Sequence, residues 1–329
     1  MNIQSLAITM GDPAGIGGEV LAKALVHRTS ERPLLIVGTL WALQQGAQVA
    51  GVPLPDAQLV EHPDQQTEPV ALMDLGITIP NFRFGEVDAD CGRLAVEAVE
   101  TAGRWCLDEV VAGMVTCPIN KEALRAAGVD DIGHQEILGR LTGASWTATM
   151  LMTPGLRVVH LSTHKSLIEA ARYVTRENLL DKLRLTSVTL ANWGLPNAHI
   201  AVAALNPHAG DGGLIGREEI DEIAPAVVEA QCEGLNVTGP VPADSVFTRA
   251  IDGEFDVVLA MYHDQGHIAI KVHNFHESTT ATLGIPFLRT SVDHGTAFDI
   301  AGKGVASERG LLAALDVADA LLAGQLARL

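Results

Sequence analysis

The chain reads as an α/β protein built on largely parallel strands, and three observations predict this. Short continuous apolar runs of strand length recur along it. Segments of helical periodicity lie between them, and many of the 32 glycines fall just after an apolar run, where a strand turns into a helix. Continuous apolar runs, rather than alternation, mark strands covered on both faces, which is the usual condition of a parallel sheet.

The elements follow in order. Leu6-Ala-Ile-Thr-Met10 predicts a first strand, and Met10-Gly-Asp-Pro-Ala-Gly-Ile-Gly17 leads from it into a helix near Glu19–Val26. Leu34–Gly38 predicts the second strand. Ala95, Val99, Ala102, Cys106 and Val110 recur at three- and four-residue steps, the stripe of an amphipathic helix. Met114–Cys117, Leu156–Thr163, His199–Leu205 and Val257–Tyr262 predict four further strands. Leu311, Leu315, Ala318 and Leu322 mark a last helix, with Ser307 placed to cap it. Strands alternating with helices imply the α/β class. No repeat or linker marks a boundary, but the length suggests two domains at roughly 150 residues each.

Composition excludes several classes. The 329 residues include 40 acidic and 22 basic ones, a net charge of −18. Nucleic acid and anionic membrane surfaces both call for clustered Lys and Arg, so neither is an expected partner. A hydrophobic share of 47% is far too high for a disordered chain. No apolar run reaches the roughly 18 residues that span a bilayer. The opening MNIQSLAITM has neither a basic start nor a small-residue cleavage site, so no secretion signal is expected. Cys91, Cys106, Cys117 and Cys232 form no CxxC pair and no disulfide framework, which suits a reducing cytoplasm.

The residues capable of chemistry fall at strand ends. His164 follows the strand ending at Thr163, His208 follows Leu205 within Asn206-Pro-His-Ala-Gly210, and His263 follows Tyr262 within Met261-Tyr-His-Asp-Gln-Gly266. In α/β sheets ligands bind outside the carboxyl ends of strands. Either each histidine caps its own strand, or the three converge on one cation, for which imidazole is a fitting ligand. His160, inside its strand, reads as structural, since residues i and i+4 of a strand lie too far apart to chelate. The loop Met10–Gly17 is either an anion-holding turn or simply a tight strand-to-helix turn. The loop Asp293-His-Gly-Thr-Ala-Phe-Asp-Ile-Ala-Gly-Lys-Gly304 offers acidic side chains that suit ribose hydroxyls, or is an ordinary surface loop. In so acidic a chain Lys121, Lys271 and Arg289 stand out as groups able to hold a phosphate or carboxylate.

Longer motifs carry a resemblance. Ile8-Thr-Met-Gly-Asp-Pro-Ala-Gly-Ile-Gly17, Gly133-His-Gln-Glu136, Ser162-Thr-His164, Asn206-Pro-His-Ala-Gly210, Pro242-Ala-Asp244, Ala260-Met-Tyr-His-Asp-Gln-Gly266 and Arg289-Thr-Ser-Val-Asp-His-Gly-Thr-Ala297 resemble the 4-hydroxythreonine-4-phosphate dehydrogenase family over nearly the whole chain. His294–Gly304 also looks like the adenosine-binding loop of isopropylmalate dehydrogenase. The resemblance implies two α/β domains with a cleft between them, of the isocitrate/isopropylmalate dehydrogenase kind. Residues 1–130 and 286–329 would form one and 131–285 the other. It implies an NAD-dependent homodimer holding one divalent ion (Zn, Mg or Co) per site on His164, His208 and His263, one of these ligands reaching across the dimer interface.

The resemblance also assigns further roles. His134, Lys271 and Arg289 would contact substrate, and Asp293, His294, Gly295 and Asp299 the cofactor, with Asp299 favouring NAD over NADP. The expected reaction is oxidation, with decarboxylation, of a 4-phosphorylated 3-hydroxy acid. Lys121 or Asp244 would act as base. Gln135 and Thr280 would contact substrate as well; Gln135 replaces a threonine of the biosynthetic motif and Thr280 an asparagine, which bears on the substrate. The first expectation is 4-phosphohydroxy-L-threonine, in pyridoxine biosynthesis. The alternatives are 4-phospho-D-threonate, to whose group Gly266-His-Ile-Ala-Ile-Lys271 looks closer, 4-phospho-D-erythronate, and a cis-dihydrodiol carboxylate. Rival classes are a non-redox acyl- or phosphotransferase of related fold and a metal carrier or sensor.

Overall fold

The computed structural model describes residues 4–144 and 146–326. It is a mixed α/β protein of two compact units, Met1–Thr147 with Ile285–Leu322 and Ala148–Gly284 with Ala323–Leu329. The division differs from the expected one: residues 131–147 and Ile285 belong to unit 1, and the chain beyond Leu322 returns to unit 2. Residues 1–3 and 327–329 of the expected first domain lie outside the described residues.

The first segment of unit 1 runs β1 (Leu6–Thr9), α1 (Gly17–His27), β2 (Leu34–Gly38), α2 (Leu40–Ala50), β3 (Gln58–Val60), β4 (Val70–Asp74), α3 (Ala89–Leu107), β5 (Gly113–Thr116), α4 (Lys121–Ala126) and α5 (His134–Thr142). Unit 2 follows with β6 (Ala148–Thr153), β7 (Leu156–His160), α6 (Leu167–Tyr173), α7 (Arg176–Asn192), β8 (Ile200–Ala203), α8 (Ala224–Cys232), β9 (Val237–Val241), α9 (Ala243–Ile251), β10 (Val257–Ala260), α10 (His263–His273) and β11 (Thr279–Leu283). The chain then re-enters unit 1 as β12 (Arg289–Val292) and α11 (Arg309–Leu322).

Unit 1 orders its strands β3-β4-β2-β1-β5-β12, every pair parallel. Its central strands β1, β2 and β5 are buried along their whole length, as their unbroken apolar sequences require. Helix α3 starts where the Asp88 carboxylate accepts the backbone N–H groups of Asp90 and Cys91 at 2.7 and 3.1 Å. It buries Ala95, Val99, Ala102 and Cys106 of the predicted stripe, while Val110 lies beyond its end; Val99, Ala102 and Cys106 share a core with Leu35, Val37, Met114 and Ile137. Each large aliphatic side chain sealed here stabilises the fold by about 1.5–3 kcal/mol.

Unit 2 orders its strands β11-β6-β7-β10-β8-β9. Strands β7, β10, β8 and β9 run parallel, whereas β6 is antiparallel to both its neighbours. The turn Pro154-Gly155 permits this, since antiparallel neighbours need no crossover helix. Leu151, Val158, Ala201, Val246, Val258 and Ile270 form its core. Strand β7 ends at His160, three residues sooner than the apolar run suggests.

Candidate active site

In unit 1 three side chains meet between the parallel strands β5 and β12: Thr116 at the carboxyl end of β5, and Arg289 and Ser291 from the first and third positions of β12. Arg289 is 6% exposed, sealed in strand β12. Its Nε and Nη2 donate to Thr116 Oγ1 at 3.1 and 2.6 Å. The Thr116 hydroxyl donates in turn to Ser291 Oγ at 3.0 Å, and Ser291 donates back to the Thr116 carbonyl at 3.0 Å. Burial lowers the Arg289 pKa to about 10, which still leaves a cation at neutral pH.

His134 opens helix α5, just after Gly133. Its ring is bonded to the Cys117 backbone carbonyl. Burial first, and the Arg289 charge second, hold its pKa well below that of a free imidazole, so the ring is neutral. The residue as a whole is half-buried, but its Nε2 is sealed and has no protein partner. A ring that donates through one nitrogen presents the other as an acceptor. A buried cation beside a neutral acceptor suits an anion that carries hydroxyl groups.

Nearby in sequence, Lys121 begins α4 at the rim of a cavity of about 380 Å³ shared with Arg125 and the run 130–132. Gln135 is engaged with Thr147 Oγ1 at 2.7 Å. The loop Met10–Gly17 is a tight strand-to-helix turn. Asp12 is wholly buried, and its Oδ1 accepts the Ala14 N–H at 2.8 Å. Burial raises its carboxyl pKa to about 6. An acid sealed at this point disfavours the anion-holding alternative.

Of the loop residues expected to contact cofactor, Asp293 is half-buried and His294, Gly295 and Asp299 are exposed. The far end of this loop is braced by α1. Lys23 Nζ donates to the carbonyls of Gly304 and Ala306 at 3.1 and 2.7 Å and to Glu19 Oε1 at 2.8 Å. Glu19 Oε1 also accepts the Ala306 N–H at 2.8 Å. The sequence pattern carries no sign of this brace, because its partners stand nearly 290 positions apart.

In unit 2 the strands preceding His164, His208 and His263 are β7, β8 and β10, which are adjacent in the order β7-β10-β8 and parallel. His164 and His263 bring their ring centroids to 6.3 Å. His263 begins α10 and is bonded through Nδ1 to Asp264 Oδ1 at 2.7 Å. His208 stands in the turn after β8. Among the described residues, no three His, Cys, Asp or Glu side chains gather closely enough to hold a metal ion. The three histidines therefore do not form a closed ligand set within one chain. The donor types and their strand-end placement fit a divalent ion; the set is left incomplete.

Two histidines outside the expected set stand behind His263. His267 stacks on it at 3.6 Å between centroids and 12° between planes. His267 Nδ1 lies 3.2 Å from Nε2 of His160, which is 2% exposed. Burial lowers the His160 pKa to about 3, so it is neutral and structural. Gly266 makes this packing possible: a Cβ there would sit 2.3 Å from His160 Nε2. Asp244 is exposed in the first turn of α9, Lys271 lies 5.5 Å from the Phe275 ring centre, and Thr280 pairs with Leu151 across β11 and β6.

Reactive side chains carried on the carboxyl ends of adjacent parallel strands place the molecule in the broad class of α/β ligand-binding proteins. Within that class, the chain belongs to the family described as "Pyridoxal phosphate biosynthetic protein PdxA", whose family model matches residues 29–318. A D-threonate 4-phosphate dehydrogenase of Cupriavidus necator is 42% identical over 317 residues, covering 94% of this chain and 95% of its own. A 4-hydroxythreonine-4-phosphate dehydrogenase of Beijerinckia indica is 42% identical over 320 residues, covering 96% and 94%. The crystal structure of a 4-hydroxythreonine-4-phosphate dehydrogenase from Klebsiella pneumoniae superposes with a TM-score of 0.90 at 38% identity, covering 97% and 99%. Among the described residues no helix is long and apolar enough to cross a membrane.

Proposed function

We propose that this protein is an oxidoreductase acting on the CH–OH group of a phosphorylated hydroxy acid, with 4-phospho-D-threonate as its substrate. The observation that carries this reading is near full-length similarity to dehydrogenases named for 4-phosphorylated hydroxy acids. The buried Arg289–His134 pair supports it, since it offers a cation and a neutral acceptor to an anionic, hydroxyl-bearing ligand. Gln135 in place of the biosynthetic motif's threonine, together with Gly266-His-Ile-Ala-Ile-Lys271, favours the D-threonate substrate.

The chain's own residues divide the work. Arg289, His134 and Lys271 bind the anionic ends of the substrate and fix the C3 hydroxyl. Lys121 or Asp244 takes the proton of that hydroxyl as C3 is oxidised. Asp293, His294, Gly295 and Asp299 hold the nicotinamide cofactor, Asp299 accepting from ribose hydroxyls and so selecting NAD. His164, His208 and His263 hold a divalent ion. When bound, NAD would serve as hydride acceptor and a divalent ion (Zn, Mg or Co) would supply Lewis acidity for oxidation at C3 and loss of carbon dioxide.

A second copy of the chain would complete the ligand set. Unit 2 exposes large apolar side chains, among them Leu167, Leu214, Ile268, Val272 and Phe275. Ile268 and Val272 share one face of α10, the helix that begins at His263. Such surface suits a homodimer contact.

The test is a substrate panel with purified protein, NAD and each divalent metal, followed by reduced-nicotinamide absorbance. Turnover of 4-phospho-D-threonate above 4-phosphohydroxy-L-threonine and 4-phospho-D-erythronate is expected. Preference for 4-phosphohydroxy-L-threonine, which the Beijerinckia indica relative's name favours, would move the protein to the biosynthetic branch. Absence of reduction with every member would refute the class.

A further inference from the structure

After β8 the backbone adopts a conformation that L-residues avoid. His208, Ala209, Gly210, Asp211 and Gly212 follow one another with φ of 52, 55, 79, 44 and 66°. Three of the five carry a Cβ, which crowds the following carbonyl in a left-handed turn. Such a run persists only where its surroundings over-determine it, and such sites cluster around function.

The surroundings here converge on one carboxylate. Glu219 is 3% exposed. Its Oε1 accepts the backbone N–H groups of Leu205 and Asn206 at 2.9 and 2.7 Å. Its Oε2 accepts from Asn206 Nδ2 at 2.9 Å, and the same amide nitrogen reaches Glu218 Oε2 at 2.7 Å. Gly210 packs directly on this group, since a Cβ there would stand 2.8 Å from Glu219 Oε2. Glu219 itself opens a π-helical turn, Glu219–Ile223, ahead of α8. Single π turns of this kind recur at functional sites.

We propose that Glu219 is a positioning residue: it clamps the entry to the left-handed turn and thereby holds His208 ready as a metal ligand. The proposal rests on the reading of His208 as a ligand given above. A carboxylate is required because the groups facing it are all N–H donors, and an amide would turn one donor against another. Released from the clamp, the turn relaxes toward right-handed or extended backbone and carries the His208 ring away from its place.

The experiment compares full-length wild type with Glu219→Gln and Asn206→Ala by hydrogen exchange of the 205–215 segment and by titration with Co²⁺. Circular dichroism confirms that each variant is folded. Glu219→Gln is expected to speed exchange of the Leu205 and Asn206 amides by about tenfold or more, and to weaken Co²⁺ binding about 10–100-fold, as loss of an outer-shell partner does elsewhere. Asn206→Ala leaves the carboxylate in place and gives a smaller change of the same sign; it decides the matter if Glu219→Gln does not fold. Unchanged exchange in a folded variant overturns the clamp. Faster exchange with unchanged Co²⁺ affinity overturns the positioning role. If wild type binds no Co²⁺, the ligand reading of His208 fails separately, and the clamp stands or falls on exchange alone.

Discussion

Replacing Thr116 by valine removes one hydroxyl from the centre of the Arg289 network and changes almost nothing else, because the two side chains have nearly the same shape. The hydroxyl accepts two N–H groups of one guanidinium, at 3.1 and 2.6 Å, and supplies the proton to Ser291. A hydrogen bond to a charged group contributes about 1.5–3 kcal/mol. The two Arg289 contacts share one oxygen, so together they are worth about 2–4 kcal/mol, with no cavity to add. Thr116→Ser is the control. It keeps the oxygen and loses one buried methyl, at about 0.8 kcal/mol. Urea unfolding of wild type and both variants under one buffer reads the difference. The valine variant is expected to lose at least 1 kcal/mol more than the serine variant. Equal losses in the two would show that Arg289 is held by its packing and not by this hydroxyl. On the proposed function, the valine variant also raises KM for the phosphorylated substrate more than it lowers kcat, since it disturbs a group that binds.

Three further outcomes are expected. Asp12, raised from 3.8 to about 6 by burial, binds a proton in the folded state that the unfolded chain has already released between those values. Its contribution to stability is therefore full below about pH 4 and is lost as pH rises through 6; Asp12→Asn keeps the Oδ1 acceptor and should gain about 3 kcal/mol relative to wild type between pH 4 and 7, by denaturant titration at each pH. Gly266→Ala forces the His160 ring from its place and should cost about 1–3 kcal/mol, read as a lowered melting transition of unit 2. Lys23→Met strands the Glu19 carboxylate, whose side chain is only 2% exposed, and should cost about 3–5 kcal/mol, whereas the Lys23→Met, Glu19→Leu double variant should recover much of that loss.

Six strands were legible because each is a short apolar run buried on both faces: β1, β2, β7, β8 and β10 fall within the runs that predict them, and β5 begins one residue ahead of its run, at Gly113. β12 has no such signal. Arg289-Thr-Ser-Val292 is polar in sequence and wholly buried in the fold, its cost met by hydrogen bonds to Thr116 and to the Ala314 carbonyl. β9 contains Gly239 and Pro240, which weaken any strand pattern. At the site, three histidines following three apolar runs could be read directly. That their strands are neighbours could not, because strand order is a long-range property. Thr116, His267, Glu219 and the Glu19–Lys23 brace escaped for the same reason. An ordinary threonine or glutamate acquires its role only from a partner brought close by the fold, 173 positions away in the case of Thr116 and Arg289.

The late arrival of β12 bears on how the chain is made. β5 is flanked on one side by β1 and on the other by a strand that leaves the ribosome about 140 residues after unit 1's first segment ends at Thr147. At about 5–20 residues per second, that edge stays open for roughly 7–30 s of synthesis. An unpaired parallel edge rich in Val and Met is a template for the wrong partner. Unit 1 thus cannot finish as the first half of the chain emerges; it waits, half-built, for its last strand. Mutations that slow the completion of unit 2 would then be felt as aggregation of unit 1, a phenotype displaced from its cause.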